Sequence, residues 1–238
     1  MLERFRIFKP AIPREKKENT KHLAVSLAST GFLKEKEKAS ESFRKREHFI
    51  KELIDYQLRK NITILTIYIL RKKPTDISDE EKIIRHENVE AIARLFENLS
   101  SDKMITENNI RIFVLGKWYD LSGKTVNSIK DSLEKTEDYD RHFLNFCINY
   151  DGNDEITDSA KILARKVKFE KINVDDITSE SIKENLYSSY FIPPEKMIIA
   201  SREQKIDSFL LWDTAHAEII FLDRNWDEIS IRDIEKID

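Results

Sequence analysis

Two kinds of segment alternate along this chain, and their order restricts the fold more than any other feature of the sequence. Short runs rich in isoleucine, valine, leucine and phenylalanine predict six β-strands, at residues 22–27, 62–70, 110–115, 142–149, 196–200 and 218–222. Longer amphipathic stretches predict helices, at residues 39–59, 83–99, 121–136 and 154–167, with a shorter one from Thr178 towards Leu186. Several strands are apolar on both faces, which is typical of parallel strands covered by helices on either side. The order therefore predicts the α/β class, with a mostly parallel six-stranded sheet flanked by helices.

The chain has no internal repeat, linker or low-complexity stretch, so we expect one domain at residues 21–238. Residues 1–20 form a basic N-terminal arm. The segment through Lys21 holds seven basic residues against three glutamates. Two interpretations of this arm stay open, a mobile segment at an anionic surface and a solvated tail.

Composition excludes several classes of protein. The chain has only 4 glycines, and none are spaced as the phosphate loops of nucleotide-binding proteins require. Its 41 basic and 44 acidic residues leave a net charge of −3, so bulk charge does not indicate a nucleic-acid partner. The single cysteine, Cys147, excludes an internal disulfide or a zinc site built on several cysteines, and we expect it in the core.

No apolar run is long enough to span a bilayer and no signal-peptide core is present. We therefore expect a cytoplasmic protein, with contact to a membrane surface left open.

Five segments, in order and nearly collinear, resemble the motifs of the cis-prenyltransferases, the undecaprenyl diphosphate synthase family. Residues 206–223 read IDSFLLWDTAHAEIIFLD and resemble the family segment F-L-L-W-Q-x-A-Y-A-E-[LI]-x-F-x-D. Residues 149–156 (NYDGNDEI) are similar to N-Y-G-G-R-x-E-I. The other three segments resemble family strands, at residues 22–26 (HLAVS), 62–70 (ITILTIYIL) and 111–116 (RIFVLG).

The resemblance implies a doubly wound sheet with helices around it and a hydrophobic tunnel that holds a prenyl chain. It also implies dimers formed through the C-terminal half. Members of the family condense isopentenyl diphosphate onto an allylic diphosphate with magnesium. The ligand implied for this chain is therefore a prenyl or prenyl diphosphate molecule.

The departures from the family fall on its catalytic positions. The first family strand ends in D-G-N-G-R-W, whereas this chain has Ala28, Ser29, Thr30 and Gly31 at the first four of these positions. We keep these four as candidate substrate-binding residues, although Ala28 has no oxygen to ligate a hard cation. The family's G-H-x-x-G falls near residues 42–46, where the histidine is replaced by phenylalanine.

The diphosphate loop has changed as well. The family's R-T-G-G-E-x-R-x-S aligns with residues 199–207, where Ile199 replaces the first arginine, Lys205 the second and Asp207 the serine. Replacing arginine by lysine loses bidentate phosphate geometry, and each lost charge-assisted contact is worth about 1.5–3 kcal/mol. Ordinary elongation with isopentenyl diphosphate is therefore not expected.

Polar groups that follow the strands are candidates for a rebuilt site. The cations that follow two of the predicted strands are Arg71, Lys72, Lys73, Arg202 and Lys205. This fold places its ligand after the strands, so these residues form either an anion site, with Arg202 and Lys205 binding substrate, or a solvated face. The candidate catalytic residues are Lys205, Glu203 and Asp207.

A metal site is indicated only weakly. Asp76, Asp79 and Glu80 form an acidic cluster that could bind Mg²⁺, and Glu218 matches the acid of the family's A-x-A-E, which helps to hold Mg²⁺ across the dimer interface. The alternative for the cluster is a helix capping box in which Ser78 pairs with Glu81. A further near-match at residues 153–161 to a terpene-cyclase metal motif lacks its final acid, and we interpret it as a coincidence.

Three functions remain open. The favoured one is a divergent enzyme that transfers a prenyl group to another acceptor or cyclises it. The second is a non-catalytic subunit of a heteromeric cis-prenyltransferase, although residues 232–234 (RDI) are not the R-x-G that such subunits supply. The third is a prenyl-lipid-binding pseudoenzyme. The expected assembly is a homodimer, or a heteromer with a catalytic homologue, without nucleic acid.

Overall fold

The computed structural model describes residues 20–28 and 39–237, with side chains from residue 44 onward in the second range. Its strands are β1 His22–Ser26, β2 Ile64–Arg71, β3 Ile110–Leu115, β4 His142–Tyr150, β5 Lys196–Ala200 and β6 Glu218–Leu222. Its helices are α1 Ala39–Arg59, α2 Asp79–Leu99, α3 Lys103–Glu107, α4 Gly123–Lys135, α5 Gly152–Lys168, α6 Ser179–Lys183 and α7 Ile231–Glu235. The basic arm predicted at residues 1–20 lies outside the described residues except for its last residue.

All six predicted strands are present and form one sheet in the order β3-β4-β2-β1-β5-β6. Each neighbouring pair is parallel, with Ala24 of β1 opposite Thr66 of β2 and Met197 of β5. The prediction of a mostly parallel six-stranded sheet flanked by helices is confirmed. The chain adds β2 on one side of β1 and later adds β5 on the other side. The order in which strands are added therefore reverses between β1 and β5, although all the strands stay parallel. Ligands of open α/β folds bind at such a reversal, at the carboxyl ends of the strands.

Two apolar layers cover the sheet. On one face, α1 and α2 bury side chains such as Phe49, Ile50 and Ile92 against the outward-facing residues of the central strands. Phe96 of α2 contacts Phe146 of β4 with ring centroids 5.2 Å apart. On the other face, the segments after β4 and β5 cover a second cluster that contains the buried Cys147, as predicted. Among the described residues, no helix is both long and apolar enough to cross a membrane.

A buried polar chain crosses the centre of the sheet. His22 Nδ1 lies 2.7 Å from the carbonyl oxygen of Ile192, and His22 Nε2 lies 2.8 Å from Thr66 Oγ1. Asn145 Nδ2 donates to the same hydroxyl at 3.0 Å. The carbonyl can only accept, so Nδ1 carries a proton, and in the neutral imidazole Nε2 accepts from the Thr66 hydroxyl. Burial lowers the pKa of His22 from 6.5 to about 4, and the nearby Lys183 adds to the lowering.

This histidine predicts a loss of stability in mild acid. The unfolded chain binds a proton at His22 below about pH 6.5 and the folded chain only near pH 4, so stability falls as the pH falls through that window. One pKa unit is worth about 1.4 kcal/mol, and we expect His22 to remove about 2 kcal/mol between pH 7 and pH 5. Urea denaturation at both pH values measures this loss. A His22→Gln variant should be less stable at pH 7 but lose about 2 kcal/mol less than the native chain between the two pH values, and an equal loss in both proteins would contradict the assignment.

Candidate functional site

The carboxyl ends of β1, β2 and β5 meet at one edge of the sheet, and the candidate site is built there. Leu27 continues β1 beyond its last strand residue, since its N–H donates to the carbonyl of Tyr68 at 2.9 Å. Ala28 follows and is fully buried. The other three predicted substrate-binding residues of this segment, Ser29, Thr30 and Gly31, lie outside the described residues. The described end of β1 is therefore apolar.

The loop after β5 has an unusual backbone. Gln204, Asp207, Ser208 and Leu210 all have positive φ angles, between 45° and 63°, although none of them is glycine. Side chains other than Asn and Asp rarely adopt this left-handed region, and clusters of such residues occur mainly at functional sites. The loop is fixed to α5, because Gly152 N–H donates to the carbonyl of Ser208 at 2.9 Å and Asn153 donates to the Ser208 hydroxyl at 3.1 Å. A side chain at Gly152 would collide with that carbonyl.

An ion pair between Arg71 and Asp207 lies at the centre of this edge. Arg71 is the last residue of β2, and its Nη1 lies 3.1 Å from Asp207 Oδ1 in the loop after β5. The Asp207 side chain is 8% exposed and that of Arg71 is 34% exposed. Burial raises the pKa of the Asp207 carboxyl above its ordinary value, while Arg71 acts to lower it and Glu203 adds to the rise. Asp207 is thus a largely buried carboxylate in the loop after β5, held against the guanidinium of Arg71.

Three of the other four predicted cations of this edge are also paired with acids, and the fourth, Lys73, is exposed. Lys72 lies 2.7 Å from Asp154. Arg202 pairs with Glu228, and Lys205 lies 2.8 Å from Glu203. These hydrogen bonds raise the pKa of both Arg202 and Lys205. The structure therefore brings the predicted cations to one edge but neutralises each of these three within the chain.

Arg85 of α2 is a member of this edge that the sequence analysis missed. It donates to the backbone carbonyl of Arg71 at 2.8 Å and to Asn149 Oδ1 at 2.7 Å. Burial lowers its pKa. Both of these acceptors are neutral, and in the described ranges 20–28 and 39–237 Arg85 forms no ion pair. Its position in α2, next to the apolar Ile84, gave no signal from periodicity alone.

Arg46 was missed too, although the sequence contained a signal. It stands where the family's G-H-x-x-G has its second glycine, a position at which a long cationic side chain is unexpected. Arg46 is buried in α1, and its guanidinium lies 4.4 Å from the ring centroid of Trp226. Burial lowers the pKa of Arg46 to about 9, with Asp227 acting against the shift. A buried guanidinium therefore lies close to the carboxyl end of β6.

The acidic cluster predicted as a metal site forms a helix cap instead. The Ser78 side chain accepts from the backbone of Glu81 and the Glu81 carboxylate accepts from the backbone of Ser78, which is the capping-box alternative. Asp79 pairs with Lys82 at 2.7 Å. Asp76 and Glu80 are exposed.

Glu218 lies far from that cluster. It is the first residue of β6 and pairs in register with Lys196, the first residue of β5, so it lies at the amino edge of the sheet. Within one chain the structure does not bring Glu218 to the candidate site. In the part of the chain that the structure describes, no group of three or more His, Cys, Asp or Glu is arranged to hold a metal ion. Within one chain, the described residues therefore form no Mg²⁺ site of their own.

The buried acid Glu155 links segments next to the candidate site through hydrogen bonds. Tyr68 donates its hydroxyl to the Tyr150 carbonyl at 3.0 Å, and Tyr150 donates its own to Glu155. The second oxygen of Glu155 accepts from the backbone of Ser188 at 2.8 Å. Burial raises the pKa of Glu155, against the lowering by these two hydrogen bonds. This chain of contacts holds the end of β4 and the start of α5 against the loop after α6.

Comparison with known proteins identifies relatives over most of the chain. A sequence model of the family described as putative undecaprenyl diphosphate synthase matches residues 32–237. A tritrans,polycis-undecaprenyl-diphosphate synthase (geranylgeranyl-diphosphate specific) from Thermoplasma volcanium is 30% identical over 192 residues, which cover 80% of this chain and 73% of the relative. An isoprenyl transferase from Lactobacillus johnsonii is 28% identical over 237 residues, covering 94% of this chain and 93% of that protein.

Solved structures share the fold. Lavandulyl diphosphate synthase from Lavandula x intermedia, determined in complex with dimethylallyl diphosphate, superposes with a TM-score of 0.73 at 19% identity over 91% of this chain and 92% of that one. A probable undecaprenyl diphosphate synthase from Campylobacter jejuni gives a TM-score of 0.65 at 22% identity, over 93% and 94% of the two chains. At these identities the likeness is one of architecture.

Proposed function

Because the chain belongs to the undecaprenyl diphosphate synthase family, we propose that it binds a prenyl diphosphate at the carboxyl edge of its sheet and acts on it by a reaction other than ordinary chain elongation. The reaction would transfer the prenyl group to an acceptor other than isopentenyl diphosphate, or cyclise it. The ligand class is supported by the names of two relatives, one specific for geranylgeranyl diphosphate and one bound to dimethylallyl diphosphate. We call Ala28, Arg71, Arg85, Lys205 and Asp207 the carboxyl-edge site.

The observation that carries the proposal is the Arg71–Asp207 ion pair. An entering diphosphate offers Arg71 more negative charge than one carboxylate does, so its oxygens displace Asp207 from the guanidinium. Arg85 lies beside the Arg71 backbone and adds positive charge without a compensating acid among the described residues. Lys205, in the same loop as Asp207, contributes a further cation once it leaves Glu203. The prenyl chain would then extend from this edge against apolar side chains.

Displacement leaves Asp207 next to the reacting group as a carboxylate that can accept a proton. The carbon–oxygen bond of the prenyl diphosphate breaks, and the diphosphate leaves with the electron pair. An acceptor nucleophile, or a double bond of the same chain, supplies the electron pair of the new bond, and the proton that it loses passes to Asp207. A general base of this kind typically contributes a rate factor of about 10²–10⁴.

The residues at two further positions argue against ordinary elongation. Ile199, in place of the first arginine of the diphosphate loop, is buried with 1% exposure. Ala28, in place of the first-strand aspartate, is fully buried. Neither side chain can hold a second diphosphate. A Mg²⁺ ion held together with Glu218 of a second copy, in a homodimer formed through the C-terminal half, stays part of the proposal.

Diphosphate release tests the proposal directly. Purified protein is incubated with dimethylallyl, geranyl and geranylgeranyl diphosphate, each with and without isopentenyl diphosphate and with Mg²⁺ or EDTA. We expect release from an allylic diphosphate alone, or with an alcohol or amine acceptor, at a rate that isopentenyl diphosphate does not raise. Release that requires isopentenyl diphosphate and yields longer chains would show the ordinary reaction and refute the proposal.

A second function is favoured by the same ion pairs. Arg71, Lys72 and Arg202 already have acidic partners, as expected of a chain that no longer binds diphosphate. Such a chain would be a non-catalytic subunit of a heteromeric cis-prenyltransferase or a prenyl-lipid-binding pseudoenzyme. Absence of turnover, together with co-purification of a homologue that carries the intact D-G-N-G-R-W loop, would identify the subunit. Binding of a prenyl alcohol without turnover would identify the pseudoenzyme.

A further inference from the structure

A cavity of about 730 Å³ lies along the edge strand β3, and none of the residues of the carboxyl-edge site lines it. It is bounded by β3 on one side, by the end of α5 on another and by residues 184–190 on a third. We call it the β3 cavity. Its volume is in the range of sites that hold small ligands, which is about 300–1,000 Å³. Its lining is mainly apolar and aromatic, with Val114, Ile162 and Tyr190 among the contributors.

One end of the β3 cavity is cationic. Arg111 is the second residue of β3, and α5 runs back from the carboxyl edge, so its last turn and the residues after it lie near the same amino edge of the sheet. That turn and the following loop bring Arg165, Lys166 and Lys171 to the cavity lining. Lys166 donates to Asn185 at 3.0 Å. Among residues 20–28 and 39–237, none of these four cations forms an ion pair.

Arg111 is the distinctive member of this group. It is 5% exposed, yet within the described ranges its guanidinium has no hydrogen-bond partner, and it lies 4.9 Å from the ring centroid of Phe113. Burial lowers its pKa, while Glu137 and Asp138 act against the shift from a distance. Because Arg111 lines the cavity and pairs with no acid among the described residues, an anion that enters the cavity meets an unpaired guanidinium.

The other end of the cavity is apolar. Trp118 and Tyr119 follow β3 at its carboxyl end and line the cavity there. Between Arg111 and Gly116, five residues of extended strand span about 17 Å. Phe169 also lines the cavity and is 68% exposed, which is unusual for a phenylalanine. Cations at one end and a mainly apolar lining elsewhere, which also includes the acidic Glu184, match a ligand with a charged head and an apolar chain.

We propose that the β3 cavity binds an amphiphile that carries a phosphate head on an unbranched or prenyl-type apolar chain. The head would lie against Arg111, with Arg165 and Lys171 at the mouth, and the chain would run along β3 towards Trp118. The proposal does not rest on the function proposed above, because the cavity lining includes none of the residues of the carboxyl-edge site. A phosphate head can come from a lipid or from free phosphate, and a test must separate the two.

Dodecyl phosphate, below its critical micelle concentration, is the probe. Isothermal titration calorimetry on the full chain should give saturable binding at one site per chain. Inorganic phosphate and dodecanol should each bind at least tenfold more weakly, because each supplies only half of the interaction. If dodecanol bound as tightly as dodecyl phosphate, the cations would not contribute to binding. If inorganic phosphate bound as tightly as dodecyl phosphate, the apolar surface would not contribute.

Two variants locate the site. Arg111→Met keeps the apolar volume and should weaken binding at least tenfold. Phe169→Ser changes an exposed residue, so it should leave the fold intact while weakening binding several-fold. Arg141→Gln is the matched control, since Arg141 is exposed, lies at the same edge of the sheet and does not line the cavity. Unchanged affinity in both test variants would overturn the proposal.

Two further outcomes would also overturn it. If Arg85→Gln abolishes dodecyl phosphate binding while Arg111→Met does not, the probe occupies the carboxyl-edge site. If binding appears only after residues 1–19 are removed, the chain's own N-terminal segment occupies the cavity in place of a lipid. Unaltered binding in both the Arg85 variant and the shortened chain supports the proposal.

Discussion

An Asp207→Asn variant is expected to bind a prenyl diphosphate more tightly than the native chain and to turn it over far more slowly. In the native chain the Asp207 carboxylate is held 3.1 Å from Arg71 and competes with the ligand for that guanidinium. The amide keeps the shape but not the charge, so Arg71 becomes available to the diphosphate. Asparagine also tolerates the positive φ of 52° at this position, so the loop should be retained.

The substitution should raise the affinity for the ligand and lower the rate of turnover, and the two changes should differ in size. A hydrogen bond to a charged partner is worth about 1.5–3 kcal/mol, so relief from the competing carboxylate should tighten binding by about 10- to 100-fold. Loss of the proton acceptor should slow turnover by about 10²–10⁴. Titration with a non-hydrolysable prenyl bisphosphonate measures the first effect, and single-turnover release of diphosphate measures the second. A merely structural role for Asp207 would weaken both binding and turnover.

Asp140→Asn is the control, because Asp140 is exposed and lies in the turn before β4, at the opposite edge of the sheet. It should change neither quantity by more than about twofold, as for most surface substitutions. Unchanged affinity in Asp207→Asn would mean that Arg71 does not contact the ligand. Unchanged turnover would mean that another group accepts the proton.

The pH profile provides a second readout of the same residue. Asp207 accepts a proton only when ionised, and burial raises the pKa of its carboxyl above the ordinary value. Turnover by the native chain should therefore rise with pH through that elevated pKa and then level off. The turnover of the Asp207→Asn variant should not show this rise with pH.

The sequence predicted the architecture because the signals for it are local. Each strand is a short apolar run, and the strand β5 begins and ends at the predicted residues 196–200. The start of α2 was placed late, at residue 83, whereas the helix begins at Asp79 because the Ser78 capping box adds a polar first turn. The five-residue α3 was not predicted, since its burial is limited to Ile105 and leaves no periodic pattern.

The site was predicted less completely because its contacts join residues far apart in the chain. Position after a strand sufficed to bring Arg71, Lys72 and Lys205 to one edge. It could not indicate that Lys72 meets Asp154, 82 residues later. Nor does a retained acid imply a retained site, since Glu218 lies at the other end of its strand. Which charged residues pair depends on how distant segments pack together, and the spacing of residues along one sequence does not indicate it.

A Gly116→Ala variant is expected to be severely destabilised. Gly116 follows the last residue of β3 and has a φ of 106°, which L side chains rarely adopt. A β-carbon there would lie 2.5 Å from the carbonyl oxygen of Ile148 and 2.9 Å from the Cα of Tyr150, both of them backbone atoms of β4. Backbone strain costs about 1–2 kcal/mol and overpacking about 1–3 kcal/mol, so we expect a loss of about 2–5 kcal/mol.

Urea denaturation measures the loss, and the chain offers a matched control in Gly123. A β-carbon at Gly123, the first residue of α4, meets no atom within 4 Å. Gly123→Ala should therefore change the free energy of unfolding by no more than about 0.5 kcal/mol, or raise it slightly, because alanine favours helix. A Gly116→Ala variant as stable as the control would mean that β3 can move away from β4. Since Asn149 donates to the carbonyl of Lys117 at 2.8 Å, such freedom would also loosen the turn that places Lys117 beside Asp154.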